Sequence, residues 1–446
     1  MICSGLWLVF LGLMEITVAE SPGEFDCACC VHPDGQQLQT LVQRDRILSG
    51  SSVRKASVID PDVRMLVIRI DFSDMPGAPH DVSGEIDTRR IVDAGANVGD
   101  FIDQVSYGQV SFALDSEDVT PVLRLPETAE HYAASPLLIS LMPAAYRAAE
   151  DAGYDPLNYR FIAILFSSLA EVPGNQVRYR GWAYVGGATS WYNGTFESGI
   201  VAHEVGHSLG LQHSNRWQPA DSSNPIDPKG TSIEYGDHFD IMGNSSMDES
   251  RSNHFNPAHL HQLSWLPTSA IRTVRSSGLF LLHRFDSRDA DLERLMAIEV
   301  PIDETRSYWI NYRYKHARLR DGVTVVRSEG SSQRTHLLDL VPGGTNPQDV
   351  ALTTGRSFAD PELGMVLTVG SPRSSGDNAH IEVALSFTNE TQVVPAIVSM
   401  RNASHFVQEN AGRASLTLMR DRSNGESAHV QWNTIVETAS AEDFQM

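Results

Sequence analysis

The chain is short of cysteine. Its four cysteines, Cys3, Cys27, Cys29 and Cys30, all precede residue 31, and nothing after them can form an internal disulfide. A disulfide-stapled scaffold is therefore excluded for the body of the protein. Positive charge is scarce too: 34 Lys and Arg stand against 56 Asp and Glu, a formal net charge of −22. That balance argues against nucleic acid, and against an anionic membrane surface, as partners. After the N-terminal apolar run, no stretch is long and apolar enough to span a bilayer. What is present is ordinary globular material, 41% hydrophobic and 20% charged over 446 residues. That length allows two or three domains with sizeable cores.

The first 19 residues read as a signal peptide. Leu6 to Met14 is an apolar core of suitable length, and Thr17-Val18-Ala19 offers small residues for cleavage after Ala19. No Lys or Arg precedes that core, so an N-terminal anchor is the competing reading. A signal peptide implies a secreted, extracellular protein with no membrane attachment after its removal. Residues 20–58 are polar, with a Ser-rich run at Ser49-Gly50-Ser51-Ser52 and a dibasic pair at Arg54-Lys55. They read as a propeptide, with a flexible linker as the alternative. This segment carries Cys27, Cys29 and Cys30, an odd number of thiols. One thiolate could occupy a metal position and keep a proenzyme silent. A local disulfide or pairing with another chain is the alternative. Asn-x-Ser/Thr sequons stand at Asn193, Asn244, Asn389 and Asn402. In a secreted eukaryotic chain these are candidate glycan sites.

One stretch organises the rest. His203 to His213 reads H-E-x-x-H-x-x-G-x-x-H. On a helix, His203 and His207 lie four apart on one face and aim two imidazoles at one point. Glu204 stands beside the first ligand and can reach a water on the metal without being a ligand. Gly210 suits a sharp helix stop, because it takes positive φ without a Cβ penalty. His213 can then swing back with a third nitrogen. A fourth position left open is the arrangement of a catalytic zinc rather than a structural one. Residue frequencies predict about 0.03 chance copies of the five-residue core and about 10⁻⁴ of the long form. An amphipathic helix with surface histidines is the bland alternative.

Around the motif, strands alternate with helices. Met65–Phe72, Val110–Leu114 and Tyr159–Phe166 have strand composition. Helices are expected at Ile91–Val105, at Pro136–Gly153 and from Phe196 to Leu209, the last with Thr195 as N-cap. Pro143 implies a kink in the second or a later start. Gly181–Gly187, with Trp182, Ala183 and Tyr184, is expected as the sheet's edge strand, on which an extended substrate could add as a further strand. A simple hairpin is the bland reading. Asp240-Ile241-Met242-Gly243 reads as a tight turn with a buried methionine. From about Leu279, short β-type runs recur between turn residues, ending with Ser415–Met419.

With Met242 29 residues after His213, the motif and turn resemble the metzincin metalloproteases. Gly181–Gly187, Glu234-Tyr235-Gly236-Asp237, His254-Phe255-Asn256-Pro257 and Leu263–Leu266 together look like the gametolysin family. Ser307–Arg313 and Leu337–Pro342 are similar to the β-rich region of those enzymes. The resemblance covers roughly residues 60 to 390. It implies a secreted zinc endopeptidase acting on cell-wall glycoproteins. It gives His203, His207 and His213 as ligands of one Zn2+, Glu204 as base and Met242 beneath the metal. Some metzincins add a tyrosine ligand two residues after the methionine. Asn244 stands there, so none is assigned. Tyr235 could stand near the site, with a core or loop tyrosine as the favoured reading, and His238, His254, His259 and His261 are read as surface or supporting groups. A structural Ca2+ has no acidic loop of convincing spacing behind it.

The fold class expected is α+β: a metzincin-like domain over 59–270, a twisted mixed sheet plus the zinc helix, then a β-sandwich-like domain over 271–446. The function expected is hydrolysis of peptide bonds in extracellular or cell-wall proteins and glycoproteins. The alternatives are a secreted glycoprotein- or polysaccharide-binding protein with a vestigial zinc site, and a zinc hydrolase acting on a non-peptide amide.

Overall fold

A computed structural model describes residues 62–388 apart from 136, 137, 139, 245–253, 317, 318, 320, 331, 332, 342–348, 374 and 375, together with 398–400 and 418–420. The signal peptide, the propeptide with Arg54-Lys55, the thiols of Cys27, Cys29 and Cys30, and the sequons Asn389 and Asn402 lie outside the described residues. Among the described residues no helix is long and apolar enough to cross a membrane. The architecture is mixed α and β, with few helices and several mixed sheets.

Two compact units divide the chain. Of the described residues, the first takes those up to Arg216, Ile233–Leu266 and those from 333 to His336; the second takes Trp217–Ser232, those from Pro267 to Gly330 and those from Leu337. The two exchanged segments have side-chain reasons. Trp217 donates its indole N–H to the Asp227 carbonyl at 3.1 Å and lies under the Arg327 guanidinium, 4.4 Å from its ring. Thr335 donates its N–H to the His213 carbonyl at 3.3 Å and its hydroxyl to Ser214 Oγ at 2.9 Å.

The first unit is built on a sheet of β1 (Asp62–Asp71), β2 (Ser111–Ala113), β3 (Leu123–Arg124), β4 (Phe161–Phe166), β5 (Gly181–Ala183) and β6 (Thr189–Asn193). The strand order is β2-β1-β4-β6-β5, with β3 also pairing with β1. All pairings are parallel except β5 with β6. Central parallel strands are covered on both faces, which is why β4 is buried at every residue and reads as an unbroken apolar run. Helix α1 (Thr88–Val105) starts on an Asp87 cap that accepts the Arg90 N–H at 2.9 Å. It buries Ile91, Ala94, Val98, Phe101, Ile102 and Val105 at helical spacing. A short α2 (Ala129–Ala133) follows. Helix α3 spans Leu141–Asp151, so the start lies later than Pro136. Pro143 thereby falls in the first turn, where a backbone N–H has no intrahelical partner to lose.

In the second unit, Ile271–Thr273, Ala297–Pro301, Arg306–Asn311 and Gly322–Glu329 pair in that order. Gly278–His283, His380–Phe387, Met365–Arg373 and Ser357–Asp360 form an antiparallel sheet. Side chains of both, Ile310 and Val325 with Leu367 and Val383, share one core. Tyr308 donates its hydroxyl to Asp360 at 2.8 Å; burial and that carboxylate push the phenol up, so it stays protonated. The last expected strand appears as Leu418–Arg420, paired with Val398–Met400.

Asp71 closes β1. It accepts Arg124 Nε and Nη2 at 2.6 and 2.9 Å and the Gly77 N–H at 2.8 Å. Burial raises its pKa, but the guanidinium and the N–H outweigh that and hold the carboxyl below its ordinary range. A depressed folded pKa contributes stability above the unfolded value, lost as pH falls through the folded one. Asp71→Asn should cost about 1–2 kcal/mol at neutral pH. It should also lose less stability than wild type on acidification below about pH 4. Urea midpoints across that range check this, and parallel curves for the two proteins would refute it.

Candidate metal centre

Helix α4 spans Ser198–Ser208 and is buried from Val201 to its end. It starts two residues later than the sequence suggested. Its N-cap is Glu197, and Thr195 does not cap it. The Thr195 hydroxyl instead accepts Arg180 Nη2 at 3.1 Å, and the same guanidinium pairs with Glu197. The stop is as expected. Gly210 has φ +104; its N–H bonds the His207 carbonyl at 2.8 Å, and the Leu211 N–H bonds the Gly206 carbonyl at 3.0 Å. These two bonds are a Schellman ending, which a Cβ at residue 210 would strain.

His203, His207 and His213 come together as a buried triad whose candidate ligand atoms lie within 4.8 Å of one another. Each ring is held from behind. His203 Nδ1 donates to the Ile241 carbonyl at 2.7 Å, and His207 Nδ1 to the Leu211 carbonyl at 2.9 Å. His213 Nδ1 donates to Glu234 Oε1 at 2.8 Å. All three partners can only accept, so each Nδ1 carries the hydrogen. Burial, with His213 adding to it, pushes His203 down to about 3; burial and the neighbouring imidazoles also push His207 well below its ordinary value. Neutral with Nδ1 protonated, His203 and His207 present bare lone pairs at Nε2.

Those lone pairs face each other. His207 and His213 Nε2 stand 3.1 Å apart. His203 Nε2 is buried without a hydrogen-bond partner among the described residues. A cation at the focus of the three rings would take up these lone pairs. Two nitrogens bound to one tetrahedral ion at about 2.05 Å would be about 3.3 Å apart. The triad therefore fits a metal ion.

The turn at Asp240–Gly243 lies under α4. The Gly243 N–H closes on the Asp240 carbonyl at 2.9 Å, and Met242 is fully buried. A Cβ on Gly206 would meet Met242 Sδ at 2.3 Å, so the sulfur rests in a notch that only glycine leaves. Two carbonyls of this turn serve the ligands. That of Ile241 holds His203, and that of Met242 accepts the Ser214 N–H at 2.9 Å, next to His213. Beneath it, Asp240 accepts the N–H groups of Met242 and Asn256 at 2.8 and 2.6 Å, Asn256 Nδ2 at 2.8 Å and His259 Nδ1 at 3.2 Å. Burial pushes the Asp240 carboxyl up, but His259 and these donors hold it below its ordinary range.

Glu204 is fully buried. A Cβ on Gly181 would meet its Oε1 at 2.6 Å and Ile200 Cγ2 at 2.5 Å, so the carboxylate lies against the backbone of β5. Strand β5 ends the sheet order. Trp182, Ala183 and Tyr184 are buried at 5%, 6% and 2% exposure. The two aromatic rings pack around Trp191, 4.9 and 5.2 Å between centroids, so these side chains belong to the core.

Glu234 and Tyr235 were not picked as site residues, yet both meet His213. The Tyr235 ring centroid is 4.2 Å from that of His213 and 5.8 Å from that of His203. His259 and His254 are buried, His259 on Asp240, whereas His261 is exposed. Asn193 accepts the Leu169 N–H at 2.8 Å and donates to the Tyr179 carbonyl at 2.9 Å, so its amide brackets two loops. No family model and no curated protein matches the chain.

Gly206→Ala should force Met242 out of its notch. Overpacking of this kind costs about 1–3 kcal/mol. The expected result is a lower melting temperature and weaker retention of a bound ion. An unchanged melting temperature would show that the sulfur is not confined as described.

Proposed function

We propose that this chain is a secreted zinc-dependent endopeptidase of metzincin type, akin to the gametolysin family, that hydrolyses peptide bonds of extracellular or cell-wall glycoproteins. One observation carries the reading: three buried Nε2 lone pairs converge, and the next residue to the first of them is a buried glutamate. Three nitrogens with no fourth protein ligand among the described residues suit a catalytic zinc.

Bound zinc would lower the pKa of a water to about 7 and polarise a scissile carbonyl. The chain's own groups do the rest. Glu204 accepts the attacking water's proton and returns it to the leaving amine. Its seat against Gly181 restricts the carboxylate to one region beside the ligand triad. The backbone of β5 is our candidate seat for an extended substrate, since the strand ends its sheet. Trp182, Ala183 and Tyr184 would act there through main-chain groups, their side chains being buried. Two sheets sharing one core support a β-sandwich reading of the second unit.

Cleavage of gelatin by the purified secreted form tests this. Wild type should cleave, a zinc chelator should abolish cleavage, and added zinc should restore it. Glu204→Gln should retain zinc and lose about 100-fold or more in rate. Full activity in that variant would remove Glu204 from the mechanism. Zinc binding without cleavage of any protein would favour a binding protein with a vestigial site.

A further inference from the structure

The third ligand has no helix to hold it. His203 and His207 ride on α4, whereas His213 lies beyond the Gly210 stop. What fixes its ring comes from residues 234–235. The Glu234 carboxylate takes the Nδ1 hydrogen at 2.8 Å, and Tyr235 packs on the ring at 4.2 Å. Tyr235 sits at φ +56, a conformation that a bulky residue adopts only at a cost. It is held there by its N–H to Asn215 Oδ1 at 3.1 Å and by the Gly236 N–H to the Ile233 carbonyl at 3.1 Å.

The three ligands are not equivalent behind the ring. His203 and His207 donate to neutral carbonyls; His213 donates to an anion. A carboxylate on Nδ1–H draws the proton toward itself and makes the opposite nitrogen a stronger donor to a cation. Glu234 does not act as a ligand through that oxygen, because Nδ1 and Nε2 lie on opposite sides of the imidazole. His213 is 5% exposed and the Glu234 side chain 34%, so the pair is partly shielded from solvent.

We propose that Glu234 is a positioning residue that sets the site's affinity for its cation through His213. This rests on the metal reading above, and its test needs no substrate. Zinc affinity is measured by competition with a chromogenic chelator for wild type, Glu234→Gln and Glu234→Ala. Melting of the metal-free forms is followed alongside. Glu234→Ala should bind about 10- to 100-fold more weakly, the usual loss when such a partner is removed. Glu234→Gln keeps an acceptor oxygen without the charge and should fall between. Melting of the metal-free proteins should change little. Wild-type affinity in Glu234→Gln overturns the proposal, as does lower metal-free stability with affinity unchanged. If Glu234→Ala does not fold, the glutamine variant carries the test. A wild-type chain that binds no zinc overturns the metal reading and this proposal with it.

Discussion

Three imidazole lone pairs meeting in a dry place is the constraint on which the first unit depends. Each ring has its hydrogen tied to an acceptor behind it, and burial keeps His203 and His207 neutral. The acceptors behind the rings are two carbonyls and a carboxylate, and the rings cannot turn without breaking those bonds. The stability and rigidity of the surroundings hold the rings at a spacing suited to a cation.

The surroundings are arranged in order of need. Helix α4 supplies two ligands by its own periodicity, and its Schellman ending turns the chain toward the third. The Asp240–Gly243 turn then serves both sides, with one carbonyl behind His203 and another on the residue after His213. That turn is itself bolted by a buried carboxylate with donors from three residues. On the far side of Glu204, the sheet ends on a strand whose glycine leaves room for the carboxylate. His203, Glu204 and His207 sit on a regular element, and the irregular chain around His213 is pinned by hydrogen bonds.

Much of this was legible in the sequence, and the reasons differ by element. The triad and the helix stop follow from local geometry: i and i+4 share a helix face, and Gly210 is the residue that turns the chain. β4 and β1 were visible because buried parallel strands are unbroken apolar runs. Pro143 signalled a late start for α3, and the helix begins where proline loses nothing. Thr195 misled because cap preference is local, whereas Arg180, 15 residues earlier, claims its hydroxyl. Trp182 and Tyr184 were read on an edge strand; the strand is short, Gly181–Ala183, and buried at every residue, with Tyr184 just beyond it. The segment of Glu234 and Tyr235 was marked by the resemblance, but their contacts with His213 were not legible, for another reason. The chain leaves the first unit at Trp217 and returns at Ile233, so no spacing rule ties residue 234 to residue 213. The recurring β runs announced the second unit, but pairing order is a long-range property that composition does not carry.

The most direct test of the central claim is X-ray absorption at the zinc edge of the loaded wild-type protein, with metal content measured on the same sample. The account predicts one zinc per chain, with imidazole nitrogens as its protein ligands at about 2.0–2.1 Å and an oxygen completing a tetrahedron. It also predicts loss of that spectrum in His213→Ala. Sulfur ligation, or a zinc whose spectrum survives His213→Ala, would contradict it.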